Sequence, residues 1–257
     1  MKKKFLFPFL CFILLLLIGI GLMLYPLISN WYGERVRSTV EVQYNEAIAK
    51  LEDESIREAF RAAQEYNESL YSVQLDPAAA VDEYDSLLNL SGNGIMGYVE
   101  IPVIDVNLPI YHTVAESSLQ KGAGHMPGTS LPIGGKSTHA VISAHSGMSD
   151  ARMFTDLDKV QKGDLILLHV LGDTLAYAVD TITVTDPADI EAIEIRQDKD
   201  LVTLVTCTPY SVNTHRLLVR GHRIELTEEE ITEETKATEP ELSLIHISEP
   251  TRHAQIS

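Results

Sequence analysis

Three hydropathy regimes follow one another along the chain. Residues 5–28 carry no charged side chain, a run long enough to cross a hydrocarbon core as a helix, so an N-terminal transmembrane helix is expected. Lys2, Lys3 and Lys4 precede the run, and Trp31 and Tyr32 suit the far interface. By the positive-inside rule the lysines stay cytoplasmic and everything after Tyr32 lies outside, giving a single-pass cell-membrane protein with an extracellular domain. A cleaved signal peptide is the other reading, but the run exceeds the apolar core of such a peptide and no small-residue cleavage site follows it.

In the second regime Val36, Val40, Tyr44, Ile48, Leu51, Phe60 and Ala63 recur at steps of about three and four residues, the period of one or two amphipathic helices. Whether these dock on the next domain or form a stalk is left open by the pattern. Asp76-Pro77 interrupts it, because a residue before proline is pushed out of helical geometry, and residues 81–90 resume as a short helix. Ser91-Gly92-Asn93-Gly94 then punctuates the chain,.

Beyond it the period falls to two. Residues 95–101, 103–112, 140–144, 164–170, 174–185, 201–206 and 215–226 are short β-rich runs separated by Gly, Pro, Asp or Asn,. Seven or eight strands with few helices predict a mainly β fold, a closed or nearly closed barrel, with helical interruptions at 115–119 and 150–157. The expected layout is therefore cytoplasmic lysines and anchor over 1–32, a helical segment over 33–92, a barrel domain over 93–226, and an acidic linker with a doubtful tail over 227–257.

Charge then narrows the partners. A formal net charge of -17 excludes nucleic acid as an expected partner, since phosphate binding needs a basic face. Of the two cysteines, Cys11 falls in the apolar run and Cys207 in the outer domain, so they cannot pair. Cys207 ends the strand Thr203-Leu204-Val205-Thr206, and Arg216 follows nine residues later at the start of the next strand. A hairpin-like return would bring a fixed positive charge beside the sulfur, which eases loss of its proton. The bland alternative is a buried cysteine acting as a small hydrophobe.

A base is also needed. Most of the nine histidines sit within or at the ends of strands as ordinary polar positions. His145 differs, because the apolar strand Val141-Ile142-Ser143-Ala144 ends there and Ser146-Gly147 opens a loop, a rigid mount for a reactive group. Arg220 and Arg223 read as solvated strand arginines.

The runs TLVTC and TPYSVNTHRLLVRGHR closely resemble the signature of sortases, and the second resembles the pilus-building, class C branch; the likeness extends from about Asn93 to Ile224. The resemblance implies an eight-stranded β-barrel and a catalytic set of Cys207, His145 and Arg216, with residues 151–158 as the helix that follows the histidine in this branch. It implies thiolate attack on the threonine of an LPxTG-like sorting signal and transfer to an amine, in the pilus branch a pilin lysine. Cell-wall attachment is the alternative acceptor chemistry, and a catalytically idle assembly scaffold the alternative class. Many pilus-type sortases also carry an Asp-Pro-aromatic lid. Asp76 and Pro77 match its first two positions, whereas Ala78 replaces the aromatic ring.

No cofactor is expected and no metal cluster is apparent; His222 and Glu225 alone fall short of a site, and the Glu-rich stretch 225–241 reads as a solvated charge run,. Gly135-Lys136-Ser137 copies the end of a phosphate-binding loop, but Ser130 stands where its first glycine should be,. Residues 242–252 change composition abruptly and resemble translated sequencing-adapter read-through.

Overall fold

The structure, a computed structural model, describes residues 3–73, 84–90, 92–148, 152–227 and 229–233. Helix α1 (Lys3–Ala49) is continuous through the apolar run and the first part of the amphipathic segment, and helix α2 (Asp53–Val73) follows after a break at Lys50-Leu51-Glu52. Asp53 and Glu54 in the first turn of α2 complement the partial positive charge of a helix N-terminus. Among the described residues no helix is long and apolar enough to cross a membrane.

The choice between docking and stalk is resolved in favour of docking. The Tyr44 hydroxyl donates to the Met96 carbonyl (2.9 Å) and accepts the Leu171 N–H (3.0 Å), and Ile48 is buried beside it. From α2, Asn67 grips one residue twice: its Nδ2 donates to the Leu131 carbonyl (3.2 Å) and its Oδ1 accepts the Leu131 N–H (2.7 Å). Such bonds satisfy backbone groups that would otherwise be buried unpaired.

Eight strands follow: β1 (Ile95–Ile101), β2 (Val106–Tyr111), β3 (Ala123–His125), β4 (Thr138–Ser143), β5 (Leu165–Val170), β6 (Asp173–Thr185), β7 (Asp200–Thr208) and β8 (His215–Ile224). They close into a barrel in the order β1-β2-β3-β4-β7-β8-β6-β5. Most neighbours are antiparallel, but β2 with β3 and β4 with β7 run parallel. Inward-facing Ile142, Leu204 and Val219 lie level across β4, β7 and β8 and belong to the main core, whereas Val141, Val205 and Leu218 form a smaller cluster with Ala192 and Ile193 of the β6–β7 connection. Because side chains alternate along a strand, these two clusters mark the inner and outer faces of the sheet.

Three expectations need correction. The strand expected over 103–112 starts only at Val106, because Pro102–Ile104 forms a 3-10 turn that ends on Asp105 in the left-handed region (φ 52). The strand β3 was not expected at all. The helix expected after His145 is absent among the described residues 152–157: the chain makes consecutive turns, with Met153 left-handed (φ 43), and reaches a 3-10 helix only at Leu157–Lys159. The Phe154 N–H donates back to the His145 carbonyl (2.9 Å), a long-range bond that a helix through these residues would forbid.

Two buried histidines give the barrel a pH dependence. His125 donates from Nε2 to the Ser130 carbonyl (2.8 Å) and accepts the Tyr84 hydroxyl at Nδ1 (2.6 Å). His139 donates from Nδ1 to the Glu194 carbonyl (2.8 Å) and accepts the Thr203 hydroxyl at Nε2 (2.7 Å). Each neutral ring is thus fully used, and a second proton would displace one donor. Burial pushes both down to about 4. Since the unfolded chain takes up these protons near pH 6.5, the contribution is complete above that value and is lost as pH falls toward 4, on the order of several kcal/mol in total. The thermal unfolding midpoint should therefore drop across this window, and replacing His139 by a neutral, isosteric glutamine should flatten the drop; an unchanged midpoint between pH 6.5 and 4 would contradict the account.

Candidate active site

The parallel pairing of β4 with β7 sets Ser143 opposite Val205. The alignment persists past the end of β4: the Ala144 N–H donates to the Val205 carbonyl (3.1 Å) and the Thr206 hydroxyl donates to the Ala144 carbonyl (2.8 Å). Carrying that register two residues on sets His145 beside Cys207. On the other side of β7, the antiparallel register pairs Cys207 directly with Arg216 of β8, which places their Cα atoms about 5 Å apart. Histidine, cysteine and arginine therefore come from three adjacent strands at one end of the barrel. Cys207 and Arg216 share the outer face with Val205 and Leu218, since each lies two residues along its strand from them.

Cys207 is a half-buried free thiol. The Arg216 guanidinium is held by its own loop, Nη1 donating to the carbonyls of Asn213 (3.3 Å) and His215 (3.1 Å). That loop is tightly wound, with Val212 and Asn213 N–H groups both donating to the Pro209 carbonyl (3.1 and 3.0 Å) and with Ser211 and Asn213 in the left-handed region.

The His145 ring is largely covered, 27% exposed, and its Nε2 is shut from solvent without a hydrogen-bond partner. The Glu116 carboxylate approaches that nitrogen to 3.3 Å, close enough for charge attraction but without hydrogen-bond alignment. Glu116 opens the short helix Glu116–Leu119 and is itself steadied by Gln120, whose Nε2 donates to its other oxygen (3.1 Å). Beyond His145 the loop is pinned by the Gly147 N–H donating to the Thr155 hydroxyl (3.0 Å). Gly147 has φ +78, and a Cβ there would lie 2.8 Å from the Tyr210 ring, so glycine suits both the left-handed backbone and the close approach of the histidine loop to Tyr210.

The structure brings together all three residues singled out in the sequence: Cys207, His145 and Arg216. The lid candidates Asp76 and Pro77 lie outside the described residues, as does most of the stretch after Thr227. Sequence reasoning missed Glu116 and Tyr210. Glu116 arrives from the β2–β3 connection, so no spacing announces it; Gly147 was visible as a loop glycine, but not what it makes room for.

Arg220 and Arg223 are not the solvated arginines expected. The Arg220 Nε donates to Asp180 (2.9 Å) and its Nη2 to the Thr181 hydroxyl (2.7 Å). Arg223 lies over the Tyr177 ring at 5.6 Å from its centroid, and its Nη1 is buried without a hydrogen-bond partner.

A free thiol flanked by an imidazole and a guanidinium on the rim of a closed β-barrel has the layout of a cysteine acyl-transfer centre. The comparisons with known proteins agree. The Sortase domain model matches residues 99–224. Sortase C1 of the group B streptococcal pilus island 1 is 42% identical, with 75% of this chain and 94% of that one covered and a TM-score of 0.69. Sortase C of Streptococcus pneumoniae is 44% identical over 74% of this chain and 98% of that one, TM-score 0.67. Sortase C of Clostridium perfringens SM101 is 39% identical over 73% and 99%, TM-score 0.64. Sortase A of Streptococcus agalactiae is 30% identical over 130 residues, 49% of this chain and 52% of that protein, so the chain spans about half the length of that curated relative. The chain belongs to the sortase family of cysteine transpeptidases, and the three solved structures just named are class C members.

Proposed function

We propose that the chain is a membrane-anchored transpeptidase that joins an LPxTG-like sorting signal to an amine, most suitably a pilin lysine. The observation that carries this reading is the level alignment of His145, Cys207 and Arg216 on three neighbouring strand ends. The Cys207 thiolate attacks the threonine carbonyl carbon, forming a C–S bond as the carbonyl π electrons move to oxygen. Arg216 faces that oxygen, a task suited to a cation that keeps its proton. The tetrahedral centre collapses, the C–N bond to glycine breaks, and His145 gives the departing amine its proton. The acceptor amine then attacks the thioester, His145 takes its surplus proton, and the thiolate leaves with a new amide bond formed.

The pilus assignment draws support from the class C likenesses: the Streptococcus pneumoniae enzyme is described for its pilin substrate specificity, and a Clostridium perfringens sortase C was solved with the C-terminal cell wall sorting motif. Anchoring on the cell membrane with the barrel outside draws support from the uncharged run 5–28 behind three lysines and from the exposed apolar side chains of α1 between Phe12 and Tyr25. The direct test is mass spectrometry of the full chain after incubation with an LPxTG-type peptide. A thioester adduct on Cys207 is expected; peptide turnover with the adduct on no cysteine would remove the reading.

The Asp76-Pro77 lid is retained within this proposal as a loosely held cover. An exposed ion pair between Asp76 and Arg216 would contribute about 1 kcal/mol or less, and Ala78 supplies no ring to shield the sulfur. Asp76→Ala should raise peptide cleavage modestly, while Cys207 in the unaltered chain already reacts with a thiol reagent. A thiol that stays silent until Asp76 is changed would mean a tight lid, and identical rates in both proteins would mean none.

A further inference from the structure

The opposite end of β7 holds a second polar hollow. A cavity of about 380 Å³ is lined by Asp180, Arg196, Asp198, Lys199, Arg220 and Arg223, among others. It opens beside Asp200 and Leu201, seven and six residues before Cys207 on the same strand, or about 20 Å from the sulfur, so it cannot serve the reacting atoms directly.

Its charges are unequally used. Asp180 is taken by Arg220 (2.9 Å) and approached by His222 (3.7 Å). Asp200 accepts the Tyr177 hydroxyl (2.9 Å) and the Gly135 N–H (2.9 Å). Both carboxylates are thus engaged by the barrel itself. On the other side of the balance, Arg223 acts electrostatically on Asp200 yet keeps a buried Nη1 with no hydrogen-bond partner, and neither Arg196 nor Lys199 makes a side-chain ion pair among the described residues. Asp198 is the remaining carboxylate of the lining. A chain of net charge -17 has therefore gathered four cations, Arg196, Lys199, Arg220 and Arg223, against the carboxylates of Asp180, Asp198 and Asp200 around one hollow, and one guanidinium nitrogen there is shut from water without an acceptor. A buried, unpaired charged donor costs free energy unless a ligand supplies its acceptor.

We propose that this hollow binds a phosphate group. Arg196, Lys199 and Arg223 all line the hollow, and guanidinium forks with one ammonium suit a phosphate. The phosphate could come from an envelope polymer, a lipid headgroup or free solution. Bound there, it would tether the barrel at the end remote from Cys207 and leave the catalytic rim open.

Isothermal titration calorimetry of the detergent-solubilised full chain with inorganic phosphate at low salt is the test. One saturable site is expected, weakened about tenfold or more by Arg223→Gln. Because Arg223 also packs on Tyr177, the exposed-position variants Arg196→Gln and Lys199→Gln serve as the second pair; each should weaken phosphate binding while LPxTG-type peptide cleavage stays unchanged. Glycerol 3-phosphate binding more tightly than inorganic phosphate would identify an ester source, and variant-sensitive binding to phosphatidylglycerol vesicles a lipid source. No saturable phosphate binding, equal binding in all three variants, or acetate bound as tightly as phosphate would overturn the assignment.

Discussion

Replacing Cys207 by alanine is expected to abolish cleavage of an LPxTG-type peptide while leaving the fold in place. The thiol is half-buried at a strand end rather than in the core, and alanine keeps the β7 backbone and its pairing with Arg216. What disappears is the atom that must bond to the acyl carbon, and neither the serine, threonine nor tyrosine hydroxyls nearby have a mount between histidine and arginine. The loss should be at least about a thousandfold, as for other enzymes whose nucleophile is removed. Serine at the same position tests the chemistry more finely, because its hydroxyl is nearly isosteric but far less ionised than a thiol. Alanine and serine variants with unaltered unfolding midpoints and no measurable turnover are the expected pair of results. Turnover surviving in Cys207→Ala would end the thiol mechanism.

The centre was legible in the sequence largely because it is built on strand ends. Residues 201–206 are β-branched or apolar throughout, so the strand declared itself, and with it the position of Cys207 at its end. The return through a turn rich in Pro, Ser and Asn announced a hairpin, and the register that pairs Cys207 with Arg216 follows from that turn. Other features depend on partners distant in sequence. Strand β3 is Ala123-Gly124-His125, three residues with weak strand preference, held in place by the edges of β2 and β4. Gly124 is there because a Cβ would come within 2.3 Å of the Thr113 carbonyl oxygen, a closeness no local pattern reveals. The segment after His145 has helical composition, yet the bond from Phe154 N–H to the His145 carbonyl wins over propensity, which is a weak preference against tertiary contacts. The same holds for Arg220 and Arg223, which read as solvated strand arginines until Asp180 and Tyr177 of β6 are placed beside them.

The second large effect is expected at the two groups flanking the sulfur, and it separates chemistry from structure. His145→Ala removes the proton carrier and should lower peptide turnover by about a hundredfold to ten-thousandfold. Arg216→Lys keeps the charge but loses the planar fork. In the structure the Arg216 Nη1 is spent on the carbonyls of Asn213 and His215, and among the described residues its other nitrogens have no hydrogen-bond partner, so one side chain can brace the loop and still face a substrate oxygen. A lysine ammonium is a single point with no such division of labour; it must leave either the loop or the oxyanion. The expected loss for Arg216→Lys is therefore about a hundredfold to a thousandfold in kcat, the range seen when an oxyanion donor is removed, with KM changed far less. His139→Ala supplies the contrast. That ring is fully enclosed between Thr203 and Glu194, so its loss should lower the unfolding midpoint and leave the turnover of the folded fraction near that of the unaltered chain. If His139→Ala silenced a well-folded protein while His145→Ala remained active, the base would have to be reassigned. Arg216→Lys with full kcat would likewise remove the guanidinium from the transition state and reduce Arg216 to a brace for the β7–β8 loop.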